Sequence, residues 1–345
     1  MPAALPQPVV LATSVASYLV APAAGKRITA WLEFPVARAS SPDAAVRRRA
    51  NRLVIANRAG RSLQVVYDGG CSASQPCDSV SAPQAGADTV LYAVTDGRHA
   101  DIAATSLRRR PSRLVAQLAQ TSATPPPYAL AGPEAVWASA GALRMRPPDL
   151  TAPAATLVAA PAGGTIRAVV RREPVTAWIA RSAAGQDTVF EQLDGGRAST
   201  LYRELRPGVA LTSLAALDGG RVAVVAVRSA SGARIASVLL VTPRVAAPAL
   251  LVASAPSRAA LVYNPSVSSF GQSVAFRRRV GSARGVTDQI VVIDTLRNRL
   301  RIVASARVRS QRLSDPSLGF GRVVWSSALV AGARLIRSRV LSTPA

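Results

Sequence analysis

All four tryptophans of this 345-residue chain close the same kind of short motif: Ile28-Thr-Ala-Trp31, Glu134-Ala-Val-Trp137, Val175-Thr-Ala-Trp178 and Arg322-Val-Val-Trp325. Three more segments put another large apolar residue in that place: Thr89-Val-Leu-Tyr92, Val222-Ala-Val-Val225 and Ser273-Val-Ala-Phe276. Successive anchors, from Trp31 through Tyr92, Trp137, Trp178, Val225 and Phe276 to Trp325, lie 61, 45, 41, 47, 51 and 49 residues apart. A period of that size marks supersecondary units that must stack to bury their apolar faces. Aromatics make up only 4% of the chain, so placing them here reads as packing between units rather than ligand stacking.

The rest of each unit is equally regular. In the sixth, Gln289-Ile-Val-Val-Ile-Asp294 and Arg299-Leu-Arg-Ile-Val-Ala304 flank the turn Thr295–Asn298. In the fifth, Arg234–Val241 and Ala249–Ala253 flank Pro243–Pro248. Before the last three anchors run Leu211–Gly219, Pro265–Gly271 and Pro316–Gly321, each ending in Gly. Runs of four to eight residues rich in Val, Ile and Leu, broken by Gly, Pro, Asp or Asn, are strands and turns. They do not sustain the i, i+3, i+4 spacing of helix pairs, which excludes a helical solenoid. About four strands per unit and about seven units predict an all-β, β-propeller fold, a single domain over residues 1–345, with the anchor residue at the end of each second strand.

The chain ends fit closure of the ring. The seventh unit contains Ala333–Val340 and lacks an outer strand, whereas Pro8–Thr13 precedes the first anchor without a unit of its own. Pairing the two would complete the last blade. Val9–Val20 loosely resembles a signal-peptide core, but no Lys or Arg precedes it and Thr13, Ser14 and Ser17 interrupt it, so a strand is expected. No apolar run is long enough to span a membrane as a helix.

The net charge of +24 comes almost wholly from arginine, Lys26 being the one lysine. Most arginines are scattered, which reads as solvated surface. Three triplets stand out as candidate polyanion sites: Arg47, Arg48 and Arg49; Arg108, Arg109 and Arg110; and Arg277, Arg278 and Arg279. Stacking aromatics, which single-stranded nucleic acid requires, are not interleaved with them.

Two cysteines, Cys71 and Cys77, sit in a turn-rich segment. Five residues separate them, which is wrong for a redox Cys-x-x-Cys, and further metal ligands are not nearby. A small loop-closing disulfide in an oxidising compartment is one reading, and two free thiols the other. His99, the one histidine, lies in Asp96-Gly-Arg-His-Ala-Asp101 and reads as a polar loop residue. The sequence carries neither a Gly-x-Ser-x-Gly elbow nor a phosphate-binding loop nor a calcium loop.

Pro265-Ser-Val-Ser-Ser-Phe-Gly271 with Val274-Ala-Phe276 and Ile290–Asp294 resembles the WD40-like repeats of the TolB C-terminal propeller family. Pro316–Gly321 with Val323-Val-Trp325 is a looser match, and Asp218-Gly219 fits the same turn. The resemblance covers roughly residues 210–340 and implies fold rather than activity. The TolB propeller has six blades, one fewer than the count here. With 18 acidic residues and one histidine, acid–base groups are scarce. The expected function is therefore non-catalytic: a binding or scaffold propeller of the cell envelope or exterior, without a cofactor, whose partner is a macromolecule, expected to be a protein. Binding of an acidic polymer through the arginine triplets is the alternative. An enzyme whose site is assembled from loops of several units is the third.

Overall fold

The computed structural model describes residues 7–36, 52–68, 79–96, 98–108, 112–119, 125–132, 134–159, 164–194, 196–230, 233–254, 266–282, 285–332 and 334–345. Their strands form seven antiparallel sheets, the blades of a seven-bladed β-propeller. The chain divides into two compact units.

The first unit holds three sheets. The first sheet is Ser17–Ala24, Ile28–Pro35, Arg52–Asn57 and Gln64–Asp68. In the second, the short strands Ser79–Val80 and Gln84–Ala85 share the inner place, followed by Thr89–Thr95, His99–Ser106 and Arg113–Ala119. The seventh runs from Gln311–Leu313 and Ser317–Gly319 through Arg322–Ala331 and Arg334–Pro344 to Val9–Ser14. The N-terminal strand is thus the outer strand of the last sheet, as the unpaired ends predicted, with Val9 opposite Ser342 and Ser14 opposite Ser338.

The second unit holds four sheets. They are Tyr128–Ala131, Glu134–Ser139, Ala142–Arg146 and Ala155–Ala159; Thr165–Arg172, Val175–Arg181, Asp187–Leu193 and Ser199–Arg203; Val209–Ala216, Val222–Ala230, Ala233–Val241 and Ala249–Ala253; and Val267–Phe270, Ser273–Ser282, Gly285–Asp294 and Arg299–Arg307.

The register of all seven sheets slips by one residue between the third and outer strands. Such a bulge sharpens the twist and turns an open edge away from further pairing. In the seventh sheet the slip falls between Val10 and Ala12, so the N-terminal strand reproduces this detail too.

Every anchor is buried, from 0% exposure at Trp31, Val225 and Phe276 to 3% at Tyr92 and Trp137. Their place along the strand differs from the expected one. Six are the fourth residue after a hairpin, and the strand continues beyond them, to Ala331 after Trp325 and to Ser282 after Phe276. Alternate side chains then face opposite neighbours. Trp31 packs with Leu11, Val324 and Val340 of the seventh sheet, while Ile28, Ala30 and Leu32 pack with Val90 and Tyr92 of the second. Trp178 likewise faces Val136 and Leu143 of the third sheet and stacks on Phe190 across its own sheet, 5.5 Å between ring centres. Truncating such a wedge to alanine costs roughly 3–5 kcal/mol.

Val225 breaks the series. It packs with Val274 and Phe276 of the following sheet, and its neighbour Val224 packs with Ile179 and Val189 of the preceding one. The cause is the hairpin. Two residues link Phe270 to Ser273 and Arg172 to Val175, but three, Asp218-Gly219-Gly220, separate Leu217 from Arg221, whose carbonyl accepts the Leu217 N–H at 2.8 Å. Gly219 and Gly220 make this turn at φ of 76° and 73°, a conformation that suits residues without a Cβ. Counted from the hairpin, Arg221 is the first residue and Val224 the fourth. One extra turn residue reverses the faces of the strand, so the wedge of the fifth sheet is Val224.

Arg322, at the hairpin of the seventh sheet, is 4% exposed. Its Nη2 donates to the carbonyl oxygens of Gly25 and Ile28, both at 3.1 Å, and to Thr29 Oγ1 at 2.7 Å; Nη1 donates to the Arg58 carbonyl at 3.0 Å. The side chain thereby bolts the last sheet to the first through neutral oxygens alone. Burial, reinforced by the Arg58 charge, pushes its pKa down to about 10, which leaves it cationic at neutral pH.

A basic face on the second unit

The four inner strands of the second unit lie side by side and run the same way. Ser213 Oγ accepts the Val267 N–H and Ser269 Oγ donates to the Ala216 carbonyl, so position rises together along the fifth and sixth sheets. The sheets therefore share two ends. At the hairpin end the inner strand turns into the second and the third into the outer. At the crossover end the second strand turns into the third, and the chain passes from one sheet to the next.

At the hairpin end, charges brace one sheet against another. Arg171, buried in the fourth sheet, reaches Glu134 of the third at 2.6 Å and Asp194 of its own sheet at 2.7 Å, and donates to Thr176 Oγ1. Burial works against the Arg171 charge, but hydrogen bonds to Asp194 and Glu134 outweigh it and hold the pKa above the ordinary arginine value. Arg172 pairs with Asp218 of the fifth sheet at 2.6 Å and lies over the ring of Phe270 from the sixth, 5.7 Å from its centre. Arg221 hydrogen-bonds Gln272. Among the described residues this end carries Glu134, Glu173, Glu191, Asp194, Asp218 and Asp294 against eight arginines (171, 172, 197, 221, 244, 297, 299 and 301), a near balance.

The crossover end is different. Its described carboxylates are Asp187, Glu204 and Asp288, with side chains 0%, 2% and 4% exposed. A guanidinium grips each of them with two nitrogens. Arg181 stands directly across the hairpin from Asp187 and donates from Nε and Nη2, both at 2.7 Å, while the Leu211 N–H of the next sheet donates to Oδ2 at 2.8 Å. Arg206 donates to Glu204 from Nε at 2.8 Å and Nη2 at 2.7 Å, and the Tyr202 hydroxyl adds a bond at 3.0 Å. Burial acts to raise the Glu204 pKa, but the bonds from Arg206 prevail and hold it below the usual carboxylate range. Arg279 repeats the Arg181 arrangement on Asp288, at 2.8 and 3.2 Å.

Ten described arginines lie at this end. Arg167, Arg203, Arg206, Arg228, Arg234 and Arg307 are exposed; Arg181, Arg277, Arg278 and Arg279 are half-buried. Ten cations over three sequestered carboxylates give one end of the unit a strong positive potential, and the opposite end does not share it.

Of the residues singled out in the sequence, Arg277, Arg278 and Arg279 belong to this face. Alternation along the strand divides them: Arg277 approaches Asp288 at 3.8 Å alongside Arg279, while Arg278 donates to Gln289 Oε1 at 2.8 Å. Arg108 is exposed, just past the end of the third strand of the second sheet. Arg47, Arg48, Arg49, Arg109, Arg110, Cys71 and Cys77 lie outside the described residues. His99 opens the third strand of the second sheet, exposed, with Nδ1 3.7 Å from Asp96 Oδ2. Asp96 accepts the N–H groups of His99 and Arg98, and these bonds lower its pKa. Among the described residues, no three His, Cys, Asp or Glu side chains converge as a metal site.

Sequence reasoning missed Arg167, Arg203, Arg206, Arg228, Arg234 and Arg307. A signal did exist for two pairs. Arg181 and Arg279 each stand three residues after an anchor, with an acid placed to meet them across the hairpin.

Seven four-stranded antiparallel sheets joined in this order define a β-propeller. No protein-family model matches the sequence, and no curated protein matches it. Solved structures do match, at the level of fold. The β-propeller domain of the Trilobed protease from Pyrococcus furiosus aligns over 95% of this chain and 97% of its own, with a TM-score of 0.60 and 9% identity. That propeller is described as having an open velcro topology, whereas here Val9–Ser14 pairs with the last sheet. The acylaminoacyl peptidase of Pyrococcus horikoshii aligns over 94% of this chain and 51% of its own, at 0.56 and 8% identity. The Cps50 (Swd1) β-propeller domain of Myceliophteria thermophila aligns over 94% and 98%, at 0.51 and 11% identity. Among the described residues no helix is long and apolar enough to cross a membrane.

Proposed function

We propose that this protein is a non-catalytic binding propeller, a single domain over residues 1–345, whose macromolecular partner docks on the crossover end of the second unit. The observation that carries this reading is the contrast between the two ends. Carboxylates at the crossover end are withdrawn and clamped, and arginines occupy its exposed positions. Groups held in bidentate ion pairs are poor general acids or bases, which favours recognition over catalysis. A disulfide between Cys71 and Cys77, one of the two readings of that segment, would go with an oxidising location at the cell envelope or exterior, and intact mass with and without reductant checks it.

The test compares two variants of equal charge change. One carries Arg203→Glu and Arg228→Glu at the crossover end, the other Arg197→Glu and Arg299→Glu at the hairpin end, all exposed positions. Retention on an anionic resin is read against salt concentration. The crossover variant is expected to lose roughly 100-fold in apparent affinity and most of its salt dependence, and the hairpin variant only a few-fold. Equal losses would mean that net charge alone governs binding, and the proposal would fail.

A further inference from the structure

One apolar side chain stands out on the basic face. Leu205 is 73% exposed, more than any other large hydrophobic residue among those described, and sits between Arg203 and Arg206 where the chain passes from the fourth sheet to the fifth. Its neighbours hold it there. The Glu204 N–H donates to the Asp187 carbonyl at 3.0 Å, the Glu204 carboxylate is gripped by Arg206 and Tyr202, and the Val209 N–H donates to the Arg206 carbonyl at 3.4 Å. The backbone on either side of Leu205 is therefore tied down, and the loop presents this exposed leucine flanked in sequence by Arg203 and Arg206, an arrangement that spares a partner the entropy of ordering the loop.

We infer that the partner is a protein, and that the segment it places on this face is acidic, rich in Asp and Glu, with an apolar residue that covers Leu205. This rests on the reading of the crossover end as the docking face. Three features select this chemistry. The face has arginine and no lysine, and the guanidinium fork matches a planar carboxylate with two parallel bonds. That match is already made three times here, on Asp187, Glu204 and Asp288. An exposed apolar side chain next to charged ones is the mixture from which a protein interface is built. Single-stranded nucleic acid would need stacking platforms, but the described aromatics at this end, Tyr128 and Tyr202, are not exposed, and the Tyr202 hydroxyl is tied to Glu204.

The probes are a fluorescent peptide of alternating Glu and Gly with one central Leu, the same peptide with Ser in place of that Leu, and an oligouridylate of equal charge. Binding is measured by anisotropy at physiological ionic strength on the full chain, its Leu205→Ser variant and the Arg203→Glu, Arg228→Glu variant, each checked by thermal melting. The Leu peptide is expected to bind most tightly and the oligouridylate least. Leu205→Ser should weaken the Leu peptide roughly tenfold and leave the Ser peptide within about twofold. Preference for the oligouridylate over both peptides would overturn the acidic-protein assignment while leaving the docking face intact. Equal binding of the two peptides, unchanged by Leu205→Ser, would overturn the apolar contact. Binding of all three probes undiminished by the arginine reversal would overturn the docking face itself.

Discussion

The two ends of the second unit use the same ion-pair chemistry for opposite purposes. At the hairpin end the pairs cross between sheets: Arg171 reaches Glu134, and Arg172 reaches Asp218. Acids and bases nearly balance there, and the charges hold neighbouring sheets together. At the crossover end the arginines Arg181, Arg206 and Arg279 take their carboxylates from within the same sheet or the loop that leaves it, bury them, and leave the other cations in excess. An arginine-rich composition therefore says little until each carboxylate has been located. Positive charge is spread over the chain, but its surplus collects where the acids have been withdrawn.

The largest expected effect breaks the bracing. Arg171→Met leaves Glu134 and Asp194 without their shared cation, and chemical denaturation should show a loss of about 3 kcal/mol. Acidic-peptide binding per folded molecule should stay unchanged, since the bracing end is not the docking end. A variant that kept its stability but lost binding would reverse the roles assigned to the two ends.

A smaller effect comes from the clamps of the basic face. Glu204→Gln should cost about 2 kcal/mol and loosen the loop that carries Leu205. The pH dependence follows from the sign of the shift. The folded Glu204 carboxyl titrates below its ordinary value, so its contribution is complete above the unfolded pKa and is lost as pH falls through the folded one. Wild-type protein should therefore lose stability on acidification more steeply than Glu204→Gln, as measured by denaturation between neutral pH and about pH 3.

The smallest effect is expected at Arg322 in the first unit. It sits at a hairpin as Arg171 does, but its partners are carbonyls and a hydroxyl. Replacing it with methionine relieves the cost of burying a cation and strands no carboxylate. The acceptors it leaves without a donor outweigh that relief, and Arg322→Met should cost about 1 kcal/mol. A loss as large as that of Arg171→Met would show that neutral acceptors bind a buried guanidinium as firmly as carboxylates do.

The sheets were legible because their demands are local. A large residue closing a short apolar motif and turn residues between strands lie within one unit of sequence, and the motif recurs at intervals of 41 to 61 residues. The anchor's place four residues after the hairpin, rather than at the strand's end, was not legible. The pairing of Val9–Ser14 with Arg334–Pro344 was legible because a missing outer strand at one end of the chain met a spare one at the other. The register of the fifth sheet was not. Val222-Ala-Val-Val225 is apolar at every position, so either face could have been the wedge, and the one clue was the second glycine of Asp218-Gly219-Gly220. The basic face escaped for a different reason. Its arginines come singly from several sheets, between residues 167 and 307, and no local window concentrates them. Where a local cluster was visible, at Arg277, Arg278 and Arg279, strand alternation turned its middle member toward Gln289.

Amide hydrogen exchange, followed with and without saturating Leu-bearing acidic peptide, tests the central claim most directly. Protection is predicted at residues 203–209, 228–230, 233–235, 277–282 and 285–288 of the crossover end, with no change at 172–175, 217–221 and 294–299. Protection confined to the hairpin segments, or none in either set at saturation, would contradict the assignment of the basic face as the docking surface.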